Sequence, residues 1–368
     1  MVKPASVSDL DREMMQSCLQ LARLALGKTA PNPMVGSIIV KNGQIIGRGF
    51  HPQAGQPHAE VFALREAGEQ SQGATLYVNL EPCNHYGKTP PCTEAIIAAG
   101  IEKVIVGMVD PNPLVAGKGI ERLRLAGIQV EVGIEEAECQ RFNEAFIHRI
   151  QYQRPWGILK YAMTLDGKIA TRTGHSTWVT GKAARNYVHQ TRAICEAVIV
   201  GGNTARKDNP QLTSHGISEQ NPLRVVMSRS LDLPEQANLW DLSLALTVVC
   251  VPGGANPQGQ AMLRQLGVEV VELEPYGPDT VMQWLYKKGC LNVLWECGGT
   301  LAARAIAAQS IQKVMAFIAP KIIGGPKSFS PIGELGFEQM TQALALTEVK
   351  TNFLGEDILI EGYLARST

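Results

Sequence analysis

The sequence has no excess of charge of either sign. Lys plus Arg and Asp plus Glu each number 34 in a chain of 368 residues. A protein that binds polyanions through their phosphates usually carries a basic excess or a basic stripe. The balance argues against a general nucleic-acid binder, and we expect no nucleic-acid partner.

The sequence also lacks a long apolar run and a secretory signal. No run approaches the roughly 20 apolar residues that a helix needs to span a bilayer. Residues 1–15 are polar and mixed in charge, without the apolar centre of a signal peptide. Eight cysteines in a chain of this length are too few for a disulfide scaffold. These absences predict a cytoplasmic protein without a membrane partner.

What is present is enough apolar material for two cores. The composition, 45% hydrophobic and 18% charged, is typical of a globular protein, and the length exceeds that of one ordinary domain. Alternating strand and helix patterns fall into two blocks, residues 1–150 and 156–368. A short polar linker, 151–155, ends in a proline. We therefore predict two α/β domains.

The first block begins with a predicted helix and a hairpin. Its predicted helices are 14–26, 58–68, 92–99, 120–125 and 135–150. Its predicted strands are 35–40, 44–50, 74–80, 103–109 and 128–132.

The second block repeats the alternation without an internal sequence repeat. Its predicted helices are 181–193, 261–266, 281–288 and one after residue 300. Its predicted strands are 157–163, 197–200, 223–227, 246–251, 268–273, 291–295, 314–318 and 358–363.

Three zinc ligands and one carboxylate occur in a recognisable order. His58-Ala59-Glu60 is followed by Pro82-Cys83 and later by Cys92. Three protein ligands leave the fourth position of a zinc ion for water, as catalytic sites do. His-x-Glu followed by Pro-Cys is the signature of zinc-dependent nucleobase deaminases, although eight residues instead of two separate these cysteines. We predict a hydrolytic zinc site with His58, Cys83 and Cys92 as ligands.

Glu60 is the predicted catalytic residue. Zinc lowers the pKa of a bound water from ~16 toward ~7, and a nearby carboxylate can take that proton and return it to a leaving amine. The substrate is then a ring carbon with an exocyclic amino group. The alternative is a closed structural site with His51 or His85 as fourth ligand, in which Glu60 has no role.

Two predicted strands run through Gly-Gly into a helix, at Gly201-Gly202 and at Gly298-Gly299. Each pair alone is consistent with a tight turn. Two of them at the carboxyl ends of strands in one sheet favour a nucleotide or phosphate crevice. Neither belongs to a Gly-x-Gly-x-x-Gly fingerprint after a first strand, so a Rossmann domain is not supported.

The nine residues 84–92, Asn-His-Tyr-Gly-Lys-Thr-Pro-Pro-Cys, make a family resemblance specific. The chain resembles the bifunctional riboflavin-biosynthesis deaminase–reductase family, which has such a loop between its zinc cysteines. Residues 31–36, 49–55, 110–113 and 117–119 match as well, and the resemblance covers essentially the whole chain. It implies a cytidine-deaminase-like three-layer α/β/α domain at 1–150 and a dihydrofolate-reductase-like α/β domain at 156–368.

The resemblance also implies two activities. The first domain would deaminate 2,5-diamino-6-(5-phosphoribosylamino)pyrimidin-4-one with zinc. The second would reduce the ribosyl side chain of the product to ribityl with NADPH. The implied cofactors are Zn²⁺ and NADP(H), and the partner is a small phosphorylated pyrimidine. Asn32 is similar to a family residue that holds the deaminase substrate; its alternative role is a turn between two prolines.

The resemblance assigns reductase residues one by one. The implied cofactor contacts are Ala162, Trp178, Thr204, Asp208, Ser228, Gly298, Gly299, Thr300, Leu301, Ala302, Ala303 and Arg304. The implied substrate contacts are Ser176, Arg192, Leu212, His215 and Glu296. Arg192 is expected to pair with the terminal phosphate of the sugar.

One position departs from the family pattern, which usually has arginine where this chain has His215. A neutral imidazole binds phosphate less strongly than a permanent cation, so Arg206 or Lys207 is expected to share the task, or the phosphate affinity is lower. No residue stands out as the proton donor of the reductase. Lys160 and Asp166 are candidates, with a fold-stabilising pair as the alternative.

Other function classes remain at this point. A monofunctional deaminase with an inactive second domain is the main alternative. A nucleic-acid-editing deaminase and a non-enzymatic zinc module are the others, and the balanced charge opposes the former. We also expect a homo-oligomer.

Overall fold

The computed structural model describes residues 8–87, 90–113, 115–326 and 328–365. The chain divides into two compact units, a first unit up to Gln153 and a second unit from Arg154. Two residues of the predicted linker, 151 and 152, are the last residues of a helix instead. Among the described residues, no helix is both long and apolar enough to cross a membrane.

The first unit is built on a five-stranded sheet in the order β2-β1-β3-β4-β5. The strands are β1 Gly36–Lys41, β2 Gln44–Phe50, β3 Thr75–Leu80, β4 Lys103–Met108 and β5 Gln129–Val132. The helices are α1 Asp9–Ala22, α2 Ala59–Ala67, α3 Cys92–Ala98, α4 Lys118–Leu125, α5 Glu136–Phe142 and α6 Glu144–Tyr152. Strand β1 is antiparallel to β2 and β3, whereas β3, β4 and β5 are parallel. The hairpin predicted around Asn42-Gly43 is confirmed, with both residues in the left-handed region that such turns require.

Helix α2 lies unusually close to strand β2 because two glycines face it. A Cβ atom on Gly47 would lie 2.2 Å from the carbonyl oxygen of Ala63, and one on Gly49 would lie 2.2 Å from that of Ala59. Only glycine permits this approach at both positions. The contact fixes the start of α2, where His58 and Glu60 lie.

The predicted single helix 135–150 is wrong, because the structure has the two helices α5 and α6. The break is at Asn143, whose backbone leaves the helical region at φ −107° and ψ 24°. Its buried side chain accepts a hydrogen bond from Met34 N at 2.9 Å and donates one to Met34 O at 3.0 Å. These bonds replace the continuous helix and anchor the segment that precedes β1.

The second unit is built on a nine-stranded sheet in the order β10-β9-β8-β7-β11-β6-β12-β14-β13. The strands are β6 Trp156–Thr164, β7 Ala197–Gly201, β8 Leu223–Met227, β9 Thr247–Pro252, β10 Glu269–Leu273, β11 Asn292–Trp295, β12 Lys313–Ala319, β13 Leu346–Leu354 and β14 Asp357–Leu364. The helices are α7 Lys182–Ala193, α8 Gly202–Asp208, α9 Pro257–Gln265, α10 Pro278–Lys287 and α11 Gly299–Ala307. Strands β6 to β12 pair in parallel, so their carboxyl ends meet at one edge.

The helix predicted after Gly201-Gly202 is present, since α8 begins directly at Gly202. Strand β13 was not predicted from the sequence. Strand β13 is an edge strand whose seven central residues are all exposed, so it lacks the alternation that marks a half-buried strand. Predictions of strands depend on that alternation, so β13 had no signal in the sequence.

Candidate active sites

The predicted zinc ligands lie together in the first unit. His58 is the residue before α2, Cys83 follows β3, and Cys92 is the first residue of α3. His58 Nδ1 lies 3.5 Å from Cys83 Sγ and 3.3 Å from Cys92 Sγ. All three ligand atoms lie within 4.8 Å of one another. One imidazole and two sulfurs in this arrangement fit a tetrahedral zinc ion with one open position.

The environment favours the metal-binding form of one sulfur. Hydrogen bonding from Cys92 lowers the pKa of Cys83 to about 4, against the opposing effect of burial. The backbone N–H of Cys92 also donates to Cys83 Sγ at 3.3 Å. Since the thiolate is the form that binds a metal, this sulfur is prepared for coordination.

Glu60 is a buried carboxylate beside these ligands. Its residue is 3% exposed, and its Oε2 atom has no hydrogen-bond partner among the described residues. Burial raises the pKa of Glu60 to about 7, with the charge of His58 acting in the opposite direction. An unpartnered carboxylate oxygen of this kind is costly to bury unless it has a ligand or a proton to hold. The residues therefore fit a hydrolytic zinc site, and a bound cation would lower the pKa of Glu60 again.

His51 is not placed to be a fourth ligand. Its Nδ1 lies 3.1 Å from the carbonyl oxygen of Pro57, and its Nε2 lies 3.1 Å from Asn32 Nδ2. Both ring nitrogens are thus engaged, which fixes a neutral tautomer with Nδ1 as donor, and burial lowers the pKa of His51 further. His85 is exposed, and no described side chain joins His58, Cys83 and Cys92 in a metal-ligand cluster. The closed-site alternative has no support in the described residues.

Asn32 is brought to the metal ligands through His51. The ring of His51 lies edge-on to that of His58, with their centroids 5.2 Å apart. Asn32 hydrogen bonds to the far nitrogen of His51. This places Asn32 close to the metal ligands, and its role in holding the substrate stays a prediction.

In the second unit, an ion triad lies at the end of β11. Arg192 binds Glu296 through two parallel hydrogen bonds, Nε to Oε1 at 2.6 Å and Nη2 to Oε2 at 3.1 Å. Lys160 Nζ lies 3.5 Å from Glu296 Oε2. Burial alone would raise the pKa of Glu296, but the two cations outweigh it and lower the pKa to about 2. Arg192, predicted to pair with a phosphate, has a carboxylate as its main partner in the structure.

The predicted cofactor residues other than Ala162 and Trp178 lie at the carboxyl ends of β7, β8 and β11, which are neighbours in the sheet. Thr204 and Asp208 are in α8, Ser228 directly follows β8, Gly298 precedes α11, and residues 299–304 lie in α11. A Cβ atom on Gly298 would meet nothing within 4 Å, whereas one on Gly299 would lie 2.7 Å from Ser330 O. The backbone at Gly298 is therefore open to a ligand. At position 299 glycine is needed, because a side chain there would collide with the carbonyl oxygen of Ser330.

Three predicted contact residues have their side chains in the core. Leu212, Ala302 and Ala303 are 3%, 0% and 6% exposed. A contact to cofactor or substrate at these positions falls to the backbone. Ala162 is half-buried on β6, and Leu301 and Thr300 are more open on the first turn of α11.

His215, which stands where the family usually has arginine, contacts a second histidine. The ring of His215 stacks on that of His189 with centroids 4.1 Å apart. Burial lowers the pKa of His215, and the charge of Arg192 lowers it further. Arg206, expected to share the phosphate task, hydrogen bonds to Asn203 and to the carbonyl oxygen of Asp232. Lys207 lies 5.1 Å above the ring of Phe329.

The segment that carries Ser176 and Trp178 is held by two cross-links. Ser176 Oγ donates to Asp208 Oδ1 at 2.9 Å. Lys321 Nζ donates to the carbonyl oxygens of Trp178 and Val179 at 2.8 and 2.9 Å. Trp178 has φ +63°, a strained value for a bulky residue, and its ring lies 4.1 Å from the guanidinium carbon of Arg185. Its side chain is 65% exposed and so remains available to a ligand.

The two proton-donor candidates belong to different networks. Lys160 faces Glu296, as described above. Asp166 accepts hydrogen bonds from Thr164 Oγ1 at 2.6 Å and from the backbone N–H groups of Ile323 and Gly324 at 3.2 and 2.7 Å. These bonds lower the pKa of Asp166 to about 2, so this carboxylate anchors the segment that follows β12.

Sequence reasoning missed several residues that shape these sites. They are Glu81, His189 and Lys321. The role of His51 in orienting Asn32 was not predicted either. A glutamate just before Pro82-Cys83 was a visible signal, since a carboxylate beside metal ligands needs partners of its own. His189 and Lys321 had no signal, because their partners are distant in the chain.

Comparison with known families agrees with this arrangement. A family model described as the cytidine and deoxycytidylate deaminase zinc-binding region matches residues 8–108. A model described as the RibD C-terminal domain matches residues 155–360, more than half of the chain. This chain belongs to the riboflavin-biosynthesis deaminase–reductase family. The predicted cytidine-deaminase-like first unit and dihydrofolate-reductase-like second unit are confirmed.

Individual family members match along their full length. Riboflavin biosynthesis protein RibD of Synechocystis sp. is 63% identical over 96% of both chains. The solved structure of Acinetobacter baumannii RibD, form 1, has a TM-score of 0.88 at 41% identity and covers 97% of this chain and 99% of its own. A solved Thermotoga maritima protein, called a diaminohydroxyphosphoribosylaminopyrimidine deaminase/5-amino-6-(5-phosphoribosylamino)uracil reductase, has a TM-score of 0.86 at 36% identity and covers 97% and 99%.

Proposed function

We propose that this chain is a bifunctional enzyme of riboflavin biosynthesis. Its first unit deaminates the diaminohydroxyphosphoribosylaminopyrimidine, and its second unit reduces the resulting 5-amino-6-(5-phosphoribosylamino)uracil with NADPH. The observation that carries the first activity is the buried, unpartnered Oε2 atom of Glu60 beside one imidazole and two sulfurs. The full-length similarity to RibD proteins supports both activities, and nothing in that similarity points to an inactive second unit.

The deamination exchanges an amino group for a carbonyl oxygen, with water consumed and ammonia released. His58, Cys83 and Cys92 would hold a zinc ion, whose Lewis acidity would let water lose a proton near neutral pH. Glu60 would accept that proton at its carboxylate and deliver it to the departing amine. His51, whose two ring nitrogens bond to Pro57 and Asn32, holds Asn32 near these ligands, and the amide of Asn32 is available to the substrate.

The reduction converts the ribosyl unit to an open ribityl chain. NADPH, when bound, supplies the hydride, and the protein supplies orientation. Lys160 lies beside Glu296, as Arg192 does. It is the better proton-donor candidate, because the Asp166 carboxylate already accepts hydrogen bonds from the backbone N–H groups of residues 323 and 324. The exposed face of Trp178 and the open backbone at Gly298 are available to the cofactor.

The partner of the enzyme is a small phosphorylated pyrimidine and not a nucleic acid, in keeping with the balanced charge. A cytoplasmic location accords with eight free cysteines.

A homo-oligomer accords with the exposed edge strand β13, where Val349 and Phe353 are 53% and 75% exposed. Light scattering on the purified protein tests the oligomer.

One assay tests the bifunctional proposal. The purified chain is given the diaminopyrimidine ribotide, and ammonia release and NADPH consumption are followed in the same sample. We expect ammonia first and NADPH consumption after it. Ammonia without NADPH consumption would instead indicate a monofunctional deaminase.

A further inference from the structure

Glu81 is a buried carboxylate that ties a loop to the metal ligands. It follows β3, precedes Pro82-Cys83 and is 4% exposed. Its Oε2 accepts hydrogen bonds from the backbone N–H groups of Asp110 and Gly117 at 3.1 and 2.9 Å. Its Oε1 accepts from those of Gly119 and Ile120 at 2.9 and 3.2 Å.

These four donors are the partners that make the buried charge tolerable. Within the part of the chain that the structure describes, Glu81 has no ion pair with a Lys, Arg or His side chain. Burying an ionised carboxylate is costly unless hydrogen bonds replace its water, and bonds to a charged acceptor are the strong ones. The carboxylate thus holds four points of one segment, residues 110–120, which we call the Glu81 loop; residue 114 is outside the described residues.

The Glu81 loop lies directly against the residues around the metal ligands. A Cβ atom on Gly119 would lie 2.1 Å from the carbonyl oxygen of Pro82, so only glycine allows the two backbones to approach. Asn84 connects the same regions, since its Nδ2 donates to Lys118 O at 3.4 Å and its Oδ1 accepts from Thr93 Oγ1 at 2.9 Å.

The loop also carries a second, half-buried carboxylate, that of Asp110. Burial raises the pKa of Asp110, and the charges of Glu81 and Cys83 raise it further, while that of His85 lowers it. The Asp110 side chain is fixed by accepting a hydrogen bond from Asn112 N at 2.8 Å.

We infer that Glu81 is a positioning residue of the deaminase, which holds the Glu81 loop as a wall of the substrate cavity beside Cys83. The inference rests on the proposed deaminase function. Glu81 itself contacts neither metal nor substrate. Its loss displaces the wall and weakens substrate binding while the zinc ligands stay in place.

The test is Glu81→Gln in the full chain, with Glu121→Gln as a matched control on the exposed side of α4. Glutamine keeps the size but replaces one acceptor oxygen by an NH₂ group that faces two N–H donors. We measure the zinc content, the KM and kcat of ammonia release, and the rate of NADPH-dependent reduction of the deaminated product. We expect a KM about tenfold higher, a loss on the scale of one charge-assisted hydrogen bond. The zinc content and the reductase rate should match those of the control. The kcat of ammonia release should stay within about threefold of the control value.

The possible results separate the inference from its alternatives. An unchanged KM in zinc-loaded Glu81→Gln would overturn it, because a purely structural role lowers stability and not affinity. Loss of zinc would overturn it as well, since Glu81 would then support the metal and not the wall. If Glu81→Gln fails to fold, Gly119→Ala moves the same loop by steric contact, and a wild-type KM in that variant overturns the inference. Absence of ammonia release by the wild type would instead count against the proposed function.

Discussion

Arg192 and Glu296 form a two-point ion pair inside the second unit, with N–O distances of 2.6 and 3.1 Å. Their side chains are only 12% and 9% exposed. Arg192 Nη1 also donates to the carbonyl oxygen of Thr213 at 3.1 Å, which connects the pair to the loop that carries Leu212 and His215. The pair thus joins β11, α7 and this loop at the edge of the sheet where the reductase residues gather.

Arg192→Ala should destabilise the second unit by about 3 kcal/mol, the usual cost of leaving one charge of a buried pair without its partner. Lys182→Ala is the control, since Lys182 is exposed on the same helix. Urea unfolding of the two variants measures the difference. A change no larger than that of the control would show that the pair is as weak as a surface ion pair.

The same pair predicts how the stability of the second unit depends on pH. Arg192 and Lys160 hold the pKa of Glu296 at about 2, below its ordinary value of 4.5, although burial opposes them. A depressed carboxyl pKa contributes stability that is complete above the unfolded-state pKa and is lost as the pH falls toward the folded-state value. The stability difference between wild type and Arg192→Ala should therefore shrink between about pH 5 and about pH 2.5. Equal differences across that range would contradict the assignment.

Much of this architecture follows from the sequence, and the failures have physical causes. The order His58, Glu60, Cys83 and Cys92 indicated the metal site because ligand type and spacing are properties of the sequence itself. The helix break at Asn143 was not predicted, because it depends on hydrogen bonds to Met34, 109 residues away. The ion pair of Arg192 with Glu296 was not predicted either, because the two residues lie 104 positions apart in the sequence, and the expected phosphate contact of Arg192 stays a prediction. Long-range partners decide such roles, and local pattern does not report them.

Glu60→Gln should lower ammonia release by 10²- to 10⁴-fold, in the range that general acid–base catalysis contributes. Glutamine keeps the shape but can neither take nor return a proton. Zinc content should stay at the wild-type level, because Glu60 is not among the three ligands. Glu69→Gln, an exposed glutamate just beyond α2, is the control. Retained activity in Glu60→Gln would show that another group moves the proton.

His215→Arg should strengthen binding of the phosphorylated reductase substrate. Burial and the charge of Arg192 keep the pKa of His215 below its ordinary value, so its imidazole is neutral at pH 7. A permanent cation there should lower the KM about tenfold. In the wild type, the KM should fall as the pH is lowered below the ordinary histidine range and the imidazole gains its proton, whereas the variant should show a flatter profile. An unchanged KM in His215→Arg would mean that the substrate phosphate lies elsewhere.

The account requires two chemistries in one chain, only one of which depends on the metal. The most direct measurement removes zinc with a chelator and follows both activities in the same sample, with the deaminated product supplied for the reductase. The account predicts that ammonia release is lost, that NADPH-dependent reduction continues at the untreated rate, and that added zinc restores ammonia release. Ammonia release that survives complete removal of zinc would contradict the central claim.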